Sequence, residues 1–416
     1  MRRIPGKIIH FVTSANSALK YLGPGLLVTV GFIDPGNWAS NLAAGSLFGY
    51  SLLWVVTLST MMLILLQHNA AHLGMVTGMC HAEAAKKYLP GWIAQPVLAS
   101  AMMAAVATAF AEIIGGAIAL TMLFHIPLRI GAVLCTAVAL YLLFESSYKK
   151  LEKIIIGFVS LIGLSFLVEL IMVTWNVPVA SAGLFVPAIP HGAMLIVMSV
   201  LGAVVMPHNL VLHSEVIQSR QWRKEGEPFL RRHLRLEIFD TFFSMVVGWA
   251  INSAMIILAA ATFFKTGIAV DSLDQAEAML RPIAGPVSSY IFAIALLFSG
   301  IAASVTAGMA GGTIFAGIFG KEYDVKTRHT AAGVAITLVG GMLGIFFVNS
   351  TFSALVVSQM LLSIQLPVTV CLQIYLTSSK KVMGAYANSK FDLISLWLVA
   401  GTVIVLNIML FASAFH

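Results

Sequence analysis

The chain has 416 residues, of which 59% are hydrophobic and only 10% are charged, and its mean hydropathy is +0.94. Soluble domains carry roughly 25% charged residues, so this composition excludes a soluble globular protein. Apolar runs of about 18 residues or more recur along the sequence, and each is long enough to cross a bilayer as a helix. The composition therefore predicts an all-α integral membrane protein.

Eleven apolar segments are predicted to span the membrane, preceded by a cytoplasmic N-terminal tail at residues 1–21. In chain order the segments lie at about 22–48, 51–75, 92–124, 130–145, 154–175, 193–218, 236–263, 286–318, 330–348, 352–377 and 391–413.

The basic residues are distributed unevenly between the two sides of this predicted topology. With the N-terminus inside, 21 of the 24 Lys and Arg residues are cytoplasmic, and only Arg129, Lys265 and Arg281 are external. Because cytoplasmic loops are enriched in Lys and Arg, the asymmetry supports the segment count and puts the C-terminus outside. The net charge of +7 is thus a topology signal in a bilayer protein, with no nucleic-acid partner. The compact loops and lack of an organellar signal favour a plasma membrane.

Proline-containing tetrapeptides interrupt two of the segments. Asp34-Pro35-Gly36-Asn37 lies in the first, and Met206-Pro207-His208-Asn209 lies in the sixth. An odd number of segments between matching breaks inverts the second copy, as in transporters whose paired broken helices form a substrate site near the membrane midplane. We expect a first inverted repeat at 22–175, a second at 193–378 and an additional helix at 391–413.

Each proline removes a hydrogen-bond donor from its helix. Pro35 leaves the carbonyl of Gly31 without its usual partner, and Pro207 does the same to the carbonyl of Ala203. Unpaired backbone at membrane depth is tolerated only where it is buried in protein or lines a polar cavity. A bound cation would supply the missing partner.

The side chains at the breaks predict the type of cation. Asp34 is a carboxylate at membrane depth, which indicates a functional site, and Asn37 and Met206 add an amide oxygen and a thioether sulfur. Thioether sulfur favours transition metals, whereas Mg²⁺ and Ca²⁺ prefer shells made only of oxygen. A single negative charge also allows the ion to leave, as transport requires.

Three further polar residues lie within apolar segments, and each has two possible roles. Gln359 is interpreted as a contact between helices or as an additional ligand. His208 is a proton relay or a buried structural histidine, since its intrinsic pKa is near neutrality. Glu112 is part of a proton route or makes a buried hydrogen bond.

These motifs resemble the natural resistance-associated macrophage protein (NRAMP) family. The resemblance implies a LeuT-type fold with a 5+5 inverted repeat, broken helices 1 and 6 and one extra helix. It also implies import of Mn²⁺ or Fe²⁺ in symport with protons, and we expect Cd²⁺ as a further substrate. The resembling residues are Gly23-Pro24-Gly25, Asp34-Pro35-Gly36-Asn37-Trp38-Ala39, Met206-Pro207-His208-Asn209-Leu210 and His213-Ser214. The implied metal ligands are Asp34, Asn37, the Ala203 carbonyl and Met206, joined in some states by the Gly31 carbonyl and Gln359; the proton-linked residues are His208 and Glu112.

Two departures from the family pattern remove polar groups and indicate a divergent prokaryotic branch. Family members commonly carry an aspartate in the third segment where this chain has Ala109, and the end of the eighth segment lacks the usual Gln and Ser residues at 300–304 and 310–312. We therefore expect the ion site to be intact and proton coupling to be looser than in the family.

Other readings of the sequence remain as alternatives. A transporter of the same architecture could carry Mg²⁺. A metalloenzyme would need an open metal position beside a general base, and no such set is evident, so we expect neither an enzyme nor a cofactor. We also expect a monomer.

Overall fold

A computed structural model describes residues 34–145, 163, 165–219, 226–277, 279, 285 and 288–413. Within these ranges the chain forms helices and short connections, and no strand occurs. The helices are α1 (Pro35–Phe48), α2 (Leu53–Thr77), α3 (His81–Tyr88), α4 (Gly91–Phe124), α5 (Leu128–Glu145), α6 (Val177–Phe185), α7 (Met194–Val204), α8 (Pro207–Ser219), α9 (Glu227–Thr262), α10 (Ser288–Ile318), α11 (Arg328–Ile345), α12 (Thr351–Ser378), α13 (Lys380–Met383) and α14 (Lys390–Ser413).

Eight helical stretches in the described ranges are long and apolar enough to cross a membrane. They are α2, α4, α7 with α8, α9, α10, α11, α12 and α14. The predicted all-α membrane class is confirmed, while the count of eleven remains a prediction. The tail at 1–21, the first half of the first segment with Gly31, and residues 154–162 and 164 of the segment at 154–175 lie outside the described residues.

The predicted segments differ from the observed helices mainly at their polar ends. Helix α9 begins at Glu227, well before the predicted start near 236, because its first turn carries helix-start signals. Gly226 adopts a positive φ of 97° before the helix, Pro228 occupies the first turn, and the acidic Glu227 lies at the positive end of the helix dipole. The short helices α3 and α6 lie in connections that we did not predict to be helical.

The interrupted helices lie in the centre of the protein. Every residue of α1 from Pro35 to Ser46 is buried. In the apolar part of the α7–α8 stretch 94% of the residues are buried, whereas in that of α14 only 33% are. Polar residues and helix ends are thus enclosed by protein, as irregular backbone at membrane depth requires. The apolar α14 contacts its neighbours on fewer sides and is suited to face lipid.

Glycines allow the central helices to approach closely. A Cβ added at Gly202 of α7 would overlap the carbonyl oxygen of Gln359 in α12, and one at Gly36 of α1 would overlap the Gln359 side chain. A Cβ at Gly115 of α4 would overlap Pro35. Small residues at helix interfaces bring backbones together in this way in membrane proteins, and here they gather α1, α4, α7 and α12 around the breaks.

This packing predicts that Gly202→Ala destabilises the fold. The added methyl group must push α7 away from the α12 backbone, and overpacking of this kind costs about 1–3 kcal/mol. Gly401→Ala in α14 is the matched control, because a Cβ there meets nothing within 4 Å and alanine is favoured over glycine in a helix by about 1 kcal/mol. In thermal unfolding of the detergent-solubilised protein, Gly202→Ala should lower Tm by several degrees and Gly401→Ala should not. Equal Tm values would contradict the close packing.

Candidate metal-binding site

The second break separates α7 from α8 where the sequence predicts it. Helix α7 ends at Val204 and α8 begins at Pro207. The Val205 N–H still donates to the Leu201 carbonyl at 2.8 Å. The carbonyl of Ala203 cannot receive a bond from Pro207, and it accepts one from another helix instead.

The first break places a carboxylate at the start of a helix. Asp34 is the N-cap of α1, with extended backbone angles (φ −90°, ψ 160°), and Pro35 occupies the first turn. The Asn37 N–H donates to Asp34 Oδ1 at 2.6 Å, the usual hydrogen bond of an N-cap side chain. The motif therefore orients the Asp34 carboxylate, a role that we did not predict from the sequence.

Asn37 joins the two breaks. Its side-chain Nδ2 donates to Asp34 Oδ2 at 3.1 Å and to the Ala203 carbonyl oxygen at 2.8 Å. Asp34, Asn37 and Ala203 are all at most 1% exposed. Two acceptor oxygens, one from each broken helix, thus converge on a single buried point.

Met206 and Gln359, the other candidate ligand side chains, are both buried. Met206 is buried in a small apolar cluster with Ala104 and Leu362, and its sulfur accepts a hydrogen bond from Asn209 Nδ2 at 3.2 Å. The Gln359 side chain packs on Gly36, next to Asn37. Its Oε1 is buried and has no hydrogen-bond partner among the described residues, so this oxygen is available to a ligand.

The two candidate proton-linked residues both lie near Thr108 of α4. His208 Nδ1 is 3.3 Å from the Thr108 hydroxyl, and Glu112 follows Thr108 by one turn of α4. Glu112 is fully buried, and within the described ranges neither of its carboxylate oxygens has a hydrogen-bond partner. It lies close enough to Asp34 for the two charges to interact.

The structure explains what replaces the missing aspartate of the third segment. Ala109 is fully buried, and its backbone packs against Gly341 of α11. Two turns earlier on α4, the Met102 sulfur lies 3.9 Å from the Thr337 hydroxyl of the same facing helix. At these positions the α4–α11 interface is closely packed and carries no ionisable side chain.

Two polar networks near the site were missed by sequence reasoning. The hydroxyls of Ser40 and Ser199 lie 2.6 Å apart, and Ser199 donates to the Val356 carbonyl at 2.9 Å, which links α1, α7 and α12. Glu237 of α9 lies 2.6 Å from His68 Nδ1 and 3.8 Å from His213 Nε2. Glu237 could have been noticed as an acidic residue at the start of an apolar run. Its partners could not, because they come from distant segments.

Comparison with known proteins agrees with this geometry. The profile of the natural resistance-associated macrophage protein-like (Nramp) family matches residues 25–413. A divalent metal cation transporter MntH from Caldanaerobacter subterraneus subsp. tengcongensis is 38% identical over 94% of this chain and 92% of its own length. The protein of the same name from Bacillus subtilis is 33% identical over 99% of this chain and 96% of its own length.

Solved structures show the same architecture. A crystal structure of the Eremococcus coleocola manganese transporter, in complex with an aromatic bis-isothiourea substituted compound, superimposes with a TM-score of 0.76 at 26% identity, covering 95% of this chain and 86% of that one. Mhp1, a nucleobase-cation-symport-1 family transporter, shares the fold alone, with a TM-score of 0.64 at 14% identity over 89% of this chain and 81% of its own. Nramp proteins are transporters, so the expectation that the chain is not an enzyme is confirmed. The chain belongs to the Nramp family of membrane transporters.

Proposed function

We propose that this protein is a secondary-active transporter that imports divalent transition-metal ions, chiefly Mn²⁺ with Fe²⁺ and Cd²⁺ as further substrates, by alternating access. The observation that carries the proposal is the convergence of Asp34 Oδ2 and the Ala203 carbonyl on one buried point, with Met206 three residues after Ala203. The names of the MntH relatives and of the manganese transporter agree with it.

The metal ion takes the place that the Asn37 amide nitrogen holds between the two acceptor oxygens. A cation cannot share that position with N–H donors, so the Asn37 amide rotates by half a turn and presents its oxygen as a third ligand. Met206 supplies the thioether, and the Oε1 of Gln359 joins in one state of the transport cycle. The Gly31 carbonyl, outside the described residues, completes the proposed ligand set.

This ligand set suits a transition metal better than Mg²⁺, which a transporter of the same architecture could carry instead. Mg²⁺ demands octahedral oxygen coordination and keeps several of its waters. Met206 instead offers sulfur, and its contacts with Ala104 and Leu362 make that side of the site apolar. Sulfur ligands select softer metals, so Met206 is the proposed selectivity residue.

The N-terminus is proposed to lie in the cytoplasm of a cell whose plasma membrane holds the protein, with the C-terminus outside. All proposed ligands come from one chain, so a monomer suffices for transport. The chain would then consist of two inverted repeats, at 22–175 and 193–378, followed by the helix at 391–413. Cysteine accessibility to a membrane-impermeant reagent in whole cells tests this orientation.

His208 and Glu112 are the proposed proton-linked residues. Glu112 lies near Asp34, so a metal ion bound at Asp34 changes the electrostatic potential at Glu112 and favours release of its proton. Beyond Glu112 the route lacks an acid at Ala109, where α4 packs against Gly341. Metal binding and proton movement are therefore weakly linked in this chain.

Met206→Ala should reduce selectivity. Loss of the thioether removes the ligand that favours soft metals, so uptake of Cd²⁺ and Mn²⁺ into proteoliposomes should fall relative to Ca²⁺ and Mg²⁺. Met383→Ala is the matched control, since Met383 is equally buried but lies in α13, away from the breaks. Asp34→Ala vesicles give the background without transport. Unchanged metal ratios in Met206→Ala would remove Met206 from the site.

Asn37→Ala should weaken metal binding. The variant loses a ligand and the group that orients Asp34, and even groups that only orient a ligand contribute about 10–100-fold to metal affinity. Titration calorimetry with Mn²⁺ should show a decrease of at least about tenfold. Asn407→Ala provides the control, because Asn407 is a buried asparagine that donates to the Ser363 and Val403 carbonyls and is not a proposed ligand. Equal affinities for the two variants would argue against the amide as a ligand.

Proton movement should be substoichiometric with metal. Wild-type proteoliposomes that contain a pH-sensitive dye should take up Mn²⁺ with little lumenal acidification, because Ala109 and Gly341 interrupt the route. Vesicles with Asp34→Ala report the passive proton leak. Acidification by one proton or more for each Mn²⁺ would show strict coupling and contradict the interrupted route.

A further inference from the structure

A second cluster of metal-ligand atoms lies further along α8, at the end away from the breaks. The sulfur of Cys80, a carboxylate oxygen of Glu83 and a carboxylate oxygen of Glu215 all lie within 4.8 Å of one another. Glu215 follows Pro207 by eight residues of continuous helix, which places it about 12 Å along the axis from the proposed transport site. The two clusters are therefore separate.

Helix α3 is fixed against α8, and this contact holds Cys80 and Glu83 in place. The His81 N–H donates to the Ser214 hydroxyl at 3.1 Å, so the start of α3 is anchored one residue from Glu215. The Cys80 N–H donates to Glu83 Oε2 at 3.0 Å in a capping box. The cap uses one oxygen of Glu83 and directs its carboxylate back towards Cys80.

Both carboxylates keep an oxygen that no donor satisfies in the part of the chain that the structure describes. Glu215 is only 7% exposed, and its Oε2 is buried without a hydrogen-bond partner. The Oε1 of Glu83 is also buried and also has no hydrogen-bond partner. Glu322 adds further negative charge nearby. Buried carboxylate oxygens that lack donors are costly, and a cation between them would remove that cost.

We propose that Cys80, Glu83 and Glu215 form a second binding site for a divalent transition-metal ion. Bonds from one such ion to sulfur and oxygen are about 2.3 Å and 2.0–2.2 Å long, so two ligands are separated by at most about 4.5 Å. Small side-chain rotations bring the three atoms into that range. When the ion binds, the Cys80 S–H proton leaves to water and a metal–sulfur bond forms.

The ligand chemistry defines which ions the site takes. One thiolate with two carboxylates is suited to Cd²⁺, Zn²⁺ and similar ions, whereas Mg²⁺ and Ca²⁺ gain little from sulfur. Three protein ligands leave a position open for water, so the ion remains exchangeable. Binding here is independent of the transport proposal, but its position on α8 beyond Met206 suits an ion that has left the transport site.

The test uses Cd²⁺ with the full chain in detergent, in an Asp34→Ala background that removes the proposed transport site. We expect one bound Cd²⁺ by titration calorimetry, together with an ultraviolet thiolate-to-cadmium charge-transfer band. Cys80→Ser should abolish the band and weaken binding at least about tenfold, while serine, a preferred N-cap, keeps α3 folded. Glu215→Gln should weaken binding with the fold retained.

Cys135→Ser and Cys371→Ser are the matched controls, because these free cysteines lie outside the cluster and should leave the band unchanged. Absence of Cd²⁺ binding in the Asp34→Ala chain would overturn the second site, as would a band that survives Cys80→Ser. Neither result touches the transport proposal, which is tested separately by metal uptake through the wild-type protein.

Discussion

The side-chain amide of Asn37 holds the two broken helices against each other. It donates to a carboxylate at the start of α1 and to a backbone carbonyl near the end of α7. The Ala203 carbonyl cannot accept a helical hydrogen bond from Pro207, because proline has no N–H. The Asp34 carboxylate is fully buried, so bulk water does not reach it. A buried point with converging acceptor oxygens requires a positive partner. The Asn37 N–H donors supply it in this structure, and the cargo supplies it in the proposed function.

Close helix packing surrounds the buried point where the two oxygens converge. Gly36 and Gly202 both lie against Gln359, and Gly115 lies against Pro35. These contacts enclose the polar groups in protein and keep lipid and bulk water away from them. Low polarity around the site strengthens the electrostatic interactions within it, which would help the single carboxylate of the proposed ligand set to hold a divalent ion.

Much of this arrangement was predictable because proline acts locally. Pro35 and Pro207 mark the breaks in the sequence, and the residues beside them carry the proposed ligand atoms, so Asp34, Asn37, Ala203 and Met206 could be grouped without a structure. The apolar segments were predictable for a similar reason, since each depends on its own composition. The capping role of Asp34 needed only the Asp-Pro-Gly-Asn spacing and was overlooked.

The remaining features depend on contacts between distant segments. Glu237 lies near His68 and His213, and Glu215 lies near Cys80, through helix packing that no local pattern encodes. The consequence of Ala109 likewise became visible only when α11 was seen to pack against it. The sequence indicated a missing acid there, while the structure shows a tight apolar contact in its place.

The departures from the family pattern at Ala109 and at 300–304 and 310–312 lie outside the proposed ligand set. The side chains proposed to hold metal match the Nramp pattern, whereas the route beyond Glu112 has become less polar. In the proposed function, binding of the cargo and coupling to protons depend on different residues, so a change in one set can leave the other intact.

Anomalous diffraction from crystals soaked in Mn²⁺ tests the central claim most directly. The account predicts a strong manganese peak at the breaks, within bonding distance of Asp34, the Ala203 carbonyl and Met206, with the Asn37 amide oxygen turned towards it. A protein that transports Mn²⁺ but shows no peak there, or whose peak at the breaks persists in Asp34→Ala, would contradict it.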